Sequence, residues 1–223
     1  MTYRLAAALL SAVVVVALTA VPARTAPEAP ESTIEWELNI DLQPLASIQV
    51  AVPGSKTPQM FWFLRYTVSN HTDEDQVFAP EVFLYTDTGD VIRSGKDVPP
   101  AVFARIKSSF NDPLLKDQTS ITGKLLQGED NAKNGVAIFP NFDPKAGVVE
   151  IFIGGLSGYT ETLQLPVPVT VTERNIKGTP REVEKTELTL AKTLRLKYRH
   201  PLDPAGKPIE SKLVLQSKDW VMR

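Results

Sequence analysis

The sequence predicts a mainly β chain, a β-sandwich with one amphipathic helix inserted at about 99–110 and a β-hairpin extension at its C-terminal end. Three observations carry this prediction. Apolar residues alternate with a period of two over many short runs, and Gly, Pro, Asn and Asp turns punctuate those runs. Only one segment has convincing helical spacing.

The chain opens with Arg4, an uncharged run from Leu5 to Val21, and small residues at Ala20 and Ala23. A charged start, an apolar stretch and a small-residue end mark an export signal, so 1–23 is read as a signal peptide cleaved after Ala23. An uncleaved anchor is the rival reading, because the run is nearly long enough to span a bilayer. Residues 24–33 (RTAPEAPEST) are rich in Pro, Ala and Glu and read as a flexible linker. The sandwich is placed at 34–175, with a basic β extension packed on it at 176–223.

Strand signals begin at Ile34–Leu42 and Ser47–Val52, the second closed by Pro53-Gly54. Gln59–Ser69 puts Met60, Trp62, Leu64, Tyr66 and Val68 on one face. Its other face starts with Phe61 and Phe63 before turning polar at Arg65, Thr67 and Ser69, so this strand needs a second cover. Asn70–Asp73 is a polar turn; Asn70-His71-Thr72 also fits a glycosylation acceptor, with the turn reading preferred. Glu81–Arg93 reads as strand, turn and strand about Asp87-Thr88-Gly89.

The helix follows. Pro99 and Pro100 stand at its entrance, where proline is tolerated. Val102, Phe103, Ile106 and Phe110 recur at spacings of three and four and share a face. That face is expected to cover Phe61 and Phe63, a burial worth roughly 3–6 kcal/mol before entropy is counted. Asp112-Pro113 is expected to start a second short helical turn through Leu114 and Leu115.

Strands resume at Gly135–Phe139, Val148–Gly154, Thr160–Pro166 and Pro168–Glu173. Pro166 and Pro168 lack amide donors and mark an edge strand or a crossing between sheets. Val183–Tyr198 places Leu188, Leu190, Leu194, Leu196 and Tyr198 on one face. Ser211–Arg223 is the last strand, and Trp220 predicts that it is packed.

Composition excludes several chemistries. The chain has no cysteine, so thiolate metal sites, thiol catalysis and a lipid-modified cysteine are ruled out. Without disulfides an exported chain must rely on its hydrophobic core, and about 200 residues are enough for one. After the signal there are 23 basic and 26 acidic residues, a balance of −3. Residues 24–173 carry 11 basic and 20 acidic (−9), whereas 174–223 carry 12 basic and 6 acidic (+6). An exported, net-acidic chain is a poor match for nucleic acid. The basic segment is read as lying against its own acidic domain, or as docking an anionic envelope component.

No catalytic, cofactor-binding or metal-ligating residue is assigned, and no cofactor is implied. His71 and His200 have no zinc-ligand spacing. Gly154–Tyr159 (GGLSGY) lacks the last glycine of a nucleophile elbow and is followed by a strand signal, so Ser157 is read as a turn residue. Gly128–Gly135 (GEDNAKNG) fails the EF-hand spacing; a looser calcium site at Glu129, Asp130 and Asn134 is the minor reading beside a hydrogen-bonded turn. The carboxylate pairs Asp73/Asp75 and Asp87/Asp90 sit in polar turns, and acid–base work would require their burial. Arg195, Lys197 and Arg199 alternate opposite Leu194, Leu196 and Tyr198. They form either a solvated sheet face or a candidate docking stripe.

The segments Val68–Asn70, Asp87–Gly89, Leu126–Glu129 and Ile138-Phe139 follow a pattern. It is a strand ending in Val-x-Asn, an Asp-x-Gly hairpin, a Leu-x-x-Gly-Glu turn, and a strand ending in Phe. Over about 34–166 this resembles the Ig-like (telokin-like) exported domains of bacteria. Residues 59–223, with NDPLL, TGKLLQGEDNAKNGVAI and the terminal WVMR, look like a family of exported proteins of planctomycete-type bacteria. That resemblance implies an Ig-like sandwich and brings no activity or catalytic residues. The helix at about 98–125 and the basic segment after 175 depart from the simpler Ig-like pattern.

The resulting expectation is an exported, periplasmic or extracellular, non-catalytic binding or structural module of the bacterial envelope. Its expected partner is an envelope protein or a glycan, with membrane contact only through an uncleaved signal segment. One alternative is a carbohydrate-binding module using Trp36, Trp62, Phe61 and Phe63, which requires an exposed aromatic platform. The other is a hydrolase with a carboxylate site in a cleft.

Overall fold

The computed structural model describes residues 36–174, 179–201, 209 and 212–223; the signal and linker readings at 1–23 and 24–33 lie outside them. The first strands are β1 (Asn39–Leu42), β2 (Ala46–Val50), β3 (Gln59–Ser69), β4 (Gln76–Phe78), β5 (Glu81–Thr86) and β6 (Val91–Arg93). After α1 (Pro100–Phe110) come β7 (Gly123–Leu125), β8 (Lys133–Pro140) and β9 (Val148–Gly154). The chain closes with β10 (Thr160–Arg174), β11 (Pro180–Arg199) and β12 (Val214–Met222).

Ten of the strands build a β-sandwich of two sheets, all of whose pairings are antiparallel, and β4 pairs with β7 in a separate two-stranded sheet. In the smaller sheet, β1 and β2 flank one side of β3 and β8 the other. The larger runs β6-β5-β9-β11-β12, with β10 beside the far half of β11. Alternation fixes what lies between them. Trp62, Leu64, Tyr66 and Val68 of β3 meet Leu84 of β5, Val149, Ile151 and Ile153 of β9, and Leu194, Leu196 and Tyr198 of β11.

The second face of β3 is covered by the helix. Phe61 and Phe63 are buried with Val136 and Ile138 of β8 against Val102 and Ile106 of α1. Phe110, at the helix end, meets Phe63 edge-on at 5.8 Å and carries the Arg65 guanidinium 3.6 Å above its own ring. The order of layers is therefore helix, small sheet, large sheet. The small sheet is buried on both sides, and the outer face of the large sheet has no layer over it among the described residues.

Three expectations gain detail. Asp112-Pro113 starts one hydrogen-bonded turn and no helix: Asn111, in the left-handed region at φ 47°, ends α1, the Leu115 N–H donates to the Asp112 carbonyl at 3.3 Å, and the Leu114 N–H donates to Asp112 Oδ1 at 3.0 Å. The turn goes no further, because the Lys116 N–H donates to the Asn134 carbonyl of β8 at 2.9 Å, and it leaves Leu114 exposed and Leu115 buried. The two strands expected at 160–173 are one, β10. A register shift between Gln164 and Val169 absorbs both prolines, at the sheet edge where a missing amide costs little. The 176–223 segment also enters the main sheet. β11 lies between β9 and β12, so a boundary at 175/176 falls between the paired strands β10 and β11.

Tyr66 is buried with its hydroxyl unpartnered, and that burial pushes its phenol well above the ordinary range. Tyr198, in the same core, is pushed up to about 12 by burial. A buried hydroxyl without a partner is a net cost, so Tyr66→Phe is expected to stabilise the fold by about 1 kcal/mol. Above about pH 10 the unfolded chain releases phenolic protons that the folded chain keeps, so stability falls as pH rises. Urea titrations at pH 8 and pH 11 check both points, and Tyr66→Phe should show the smaller alkaline loss.

Candidate functional site

The uncovered face of the large sheet is set by the same alternation that builds the core. Odd-numbered residues of β5, β11 and the 217–221 part of β12 and even-numbered residues of β9 point outward, and a register shift in β12 sets Val214 opposite the outward Arg199. Register places Arg93, Phe83, Phe152, Arg195 and Asp219 in one row across five strands, and Val91, Tyr85, Glu150, Lys197 and Ser217 in the next. Phe83, Tyr85 and Phe152 are half-buried rather than covered. The Tyr85 and Phe152 rings meet edge-on at 5.4 Å and 82°. Arg223 lies over both, 4.2 Å from one centroid and 4.3 Å from the other, and donates to the Tyr85 hydroxyl.

The candidate docking stripe is on this face, and its three cations differ. Arg195 is held by Asp219 through a contact of 2.7 Å. Lys197 is 3.9 Å from Glu150. Arg199 is exposed and forms no ion pair with the described residues. Exposed pairs of this kind contribute about 0–1 kcal/mol each, so they set local charge more than stability. Arg93, Arg195, Lys197, Arg199 and Arg223 stand against Glu81, Glu150 and Asp219, five cations to three carboxylates, a surplus of two.

The two surplus cations lie apart, Arg223 over Tyr85 and Phe152 and Arg199 at the far end of β11. An open groove of about 780 Å³ is lined by the 144–148 turn and by Arg199, His200, Pro201, Val214 and Gln216. Lys145, Arg199 and His200 face it, and no carboxylate is among its described lining residues. Asp87 holds this turn, accepting the N–H groups of Gly147 and Val148 at 3.0 and 3.1 Å, and Asp90 accepts that of Asp143 at 3.1 Å. His200 Nδ1 lies 2.7 Å from the Lys212 carbonyl and 3.2 Å from that of Ile209. Two carbonyl acceptors require Nδ1–H, which leaves Nε2 as the acceptor of the neutral ring.

Other sequence candidates are engaged elsewhere. Asp87 and Asp90 are thus turn anchors rather than an acid–base pair. Asp75 pairs with Lys124 at 2.8 Å, and the hydrogen bond from Lys124 holds its carboxyl below the usual range. Glu129 meets His71 at 2.9 Å, whereas Asn134 bonds Asp112 and Thr67. The suggested calcium ligands do not converge, and no group of three or more His, Cys, Asp or Glu side chains gathers among the described residues. Ser157 donates to the Trp36 carbonyl at 3.1 Å and accepts from the Tyr159 N–H, a turn role.

Trp62, Phe61 and Phe63 are buried, so they form no aromatic platform, and Trp36 is half-buried against Gly158. A separate cavity of about 180 Å³ under the entrance of α1 is lined by Val98, Pro99, Phe103, Val136 and Ile138, with Asp117 and Gln118 at its polar edge. It is smaller than the 300–1,000 Å³ or so of ordinary ligand pockets.

Sequence reading missed Lys145, Gln216, Arg223 and the outward aromatics. A signal for the aromatics was present: Glu81–Thr86 and Val148–Gly154 are apolar at odd and even positions alike, more than one buried face requires. No helix among the described residues is long and apolar enough to cross a membrane. Compared with protein-family models, with curated proteins and with solved structures, the chain matches none.

Proposed function

We propose that the protein is an exported, non-catalytic binding module of the bacterial envelope that docks an anionic protein segment on the outer face of its large sheet. The observation that carries this reading is the groove lined by Lys145, Arg199 and His200 with no carboxylate among its described lining residues, continuous with a sheet face of half-exposed Phe83, Tyr85 and Phe152. Cations give orientation and association rate, and aromatic rings give contact area at small entropic cost. A protein segment suits the face better than a sugar ring. Tyr85 and Phe152 meet edge-on, and Arg223 already occupies their faces.

Cosedimentation of residues 24–223 with isolated envelope fragments tests this. The Lys145→Glu/Arg199→Glu variant leaves the ion-paired Arg195 and Lys197 in place and should bind at least about tenfold more weakly, with wild-type binding weakening as salt rises. Protease treatment of the fragments should abolish binding. Loss only after glycan digestion would instead favour the carbohydrate-binding alternative. Equal binding by variant and wild type would sink the proposal.

A further inference from the structure

Past the sandwich, β10 and β11 continue together as a two-stranded ribbon, from Thr160 opposite Ala191 to Arg174 opposite Pro180. The pairings of β11 with β9 and β12 begin only at Leu194 and Lys192, respectively. The ribbon therefore reaches roughly 35 Å beyond them. A lone two-stranded ribbon is marginal in water, and this one leaves Leu163, Val169 and Leu188 exposed at 44%, 48% and 41%.

The two edges of the ribbon differ. The outer edge of β10 carries Pro166 and Pro168 inside its register shift, a blunted edge. The outer edge of β11 lies on the side of β12, since Ala191 exchanges both backbone bonds with Arg223, which closes that strand. From Leu190 back to Pro180 no strand lies beside this edge among the described residues. Ala191 sets the phase, so the odd-numbered residues from Val183 to Thr189 turn their N–H and C=O groups toward the open side.

We propose that this edge pairs antiparallel with the same edge of a second copy of the chain, about a two-fold axis at Thr186. Symmetric antiparallel pairing must place one residue opposite itself. An axis at Val183 opposes Arg181 to Lys185 and Glu182 to Glu184. Axes at Glu184, Lys185 or Glu187 oppose that charge to itself. An axis at Leu188 drives six partner residues, Pro180 to Lys185, into the edge from Ala191 onward that Arg223 and the rest of β12 occupy, against only Pro180 and Arg181 for an axis at Thr186. With Thr186 on the axis, Lys185 faces Glu187 twice, Val183 faces Thr189, Glu184 faces Leu188, and no like charges are opposed. The four pairs of odd-numbered residues then exchange about eight backbone hydrogen bonds.

Sedimentation of residues 24–223 across concentration, with charge-reversed variants, tests the register. The wild type should dimerise. Lys185→Glu and Glu187→Lys should each raise the dimer Kd about tenfold or more, and the double swap should restore it. A wild type that stays monomeric, reversals without effect, or a double swap without rescue would overturn the proposal. Disulfide trapping adds a second readout in a chain with no cysteine of its own. Thr186→Cys should oxidise to a covalent dimer, because residues facing each other across the axis lie about 4.5 Å apart at Cα. Thr189→Cys, roughly 20 Å from its own mate, should not. Equal trapping of the two would contradict the axis.

Discussion

Trp62→Ala is expected to lower the unfolding free energy by about 3–5 kcal/mol. Trp62 is 1% exposed at the centre of the core between the sheets. Its ring stacks on Phe142 at 5.7 Å and 21°, meets His200 edge-on at 6.4 Å, and its indole N–H donates to Asn141 Oδ1 at 3.2 Å. Truncation removes the ring and leaves a cavity between two sheets that cannot close on it without moving their registers. Since domains of this size are stable by only about 5–15 kcal/mol, the loss is a large share of the total. Trp62→Phe keeps most of the volume and gives up the hydrogen bond, so roughly 1–2 kcal/mol is expected. Urea unfolding measures both. A loss below about 1 kcal/mol for Trp62→Ala would mean that this position is not packed as described. His200, which the Trp62 ring meets, lines the basic groove, so the larger truncation should also weaken docking.

Asn70→Ala should cost roughly 2–4 kcal/mol, more than its place in a turn suggests. The residue is 0% exposed. Its Nδ2 donates to the Glu74 and Leu125 carbonyls at 2.9 and 3.0 Å, and its Oδ1 accepts from the Thr72 N–H and hydroxyl at 3.0 and 2.7 Å. It ties the turn after β3 to β7, and its own carbonyl accepts the Gly128 N–H at 2.8 Å. Alanine takes the amide donor from the buried Leu125 carbonyl and leaves the Glu74 carbonyl with only the Thr72 hydroxyl at 2.8 Å. Asn70→Asp should be no milder, because it aims a carboxylate at those carbonyls. Faster amide exchange at Gly128 should accompany the lost stability; unchanged exchange would show that Asn70 does not hold the turn. The same bonds disfavour Asn70 as a glycosylation acceptor in the folded chain.

The layers of the fold were readable where one strand carries its own signal. Gln59–Ser69 shows both faces in sequence, and the uncovered pair Phe61 and Phe63 pointed to the helix whose Val102 and Ile106 meet them. The groove was not readable. Arg199 faces Val148 on one side and Val214 on the other, and only this pairing brings Lys145, His200 and Gln216 together. β4 and β7 are three residues each, too short for a period to show. The charge of the last fifty residues also misled. It reads as one basic extension, yet Glu182, Glu184 and Glu187 lie in the projecting ribbon while Arg195, Lys197 and Arg199 lie on the sheet. Strand alternation survives in sequence; the positions at which strands start, stop and leave a sheet do not.

The docking face is tested most directly by recording amide shifts of residues 24–223 while soluble polyglutamate is added at low salt. The expected result is a set of perturbations confined to the 145–148 turn, Arg199, His200 and Gln216, fading as salt is raised. Perturbations centred on Arg105 and Lys107 of α1, or none at millimolar polymer, would contradict the assignment of this face.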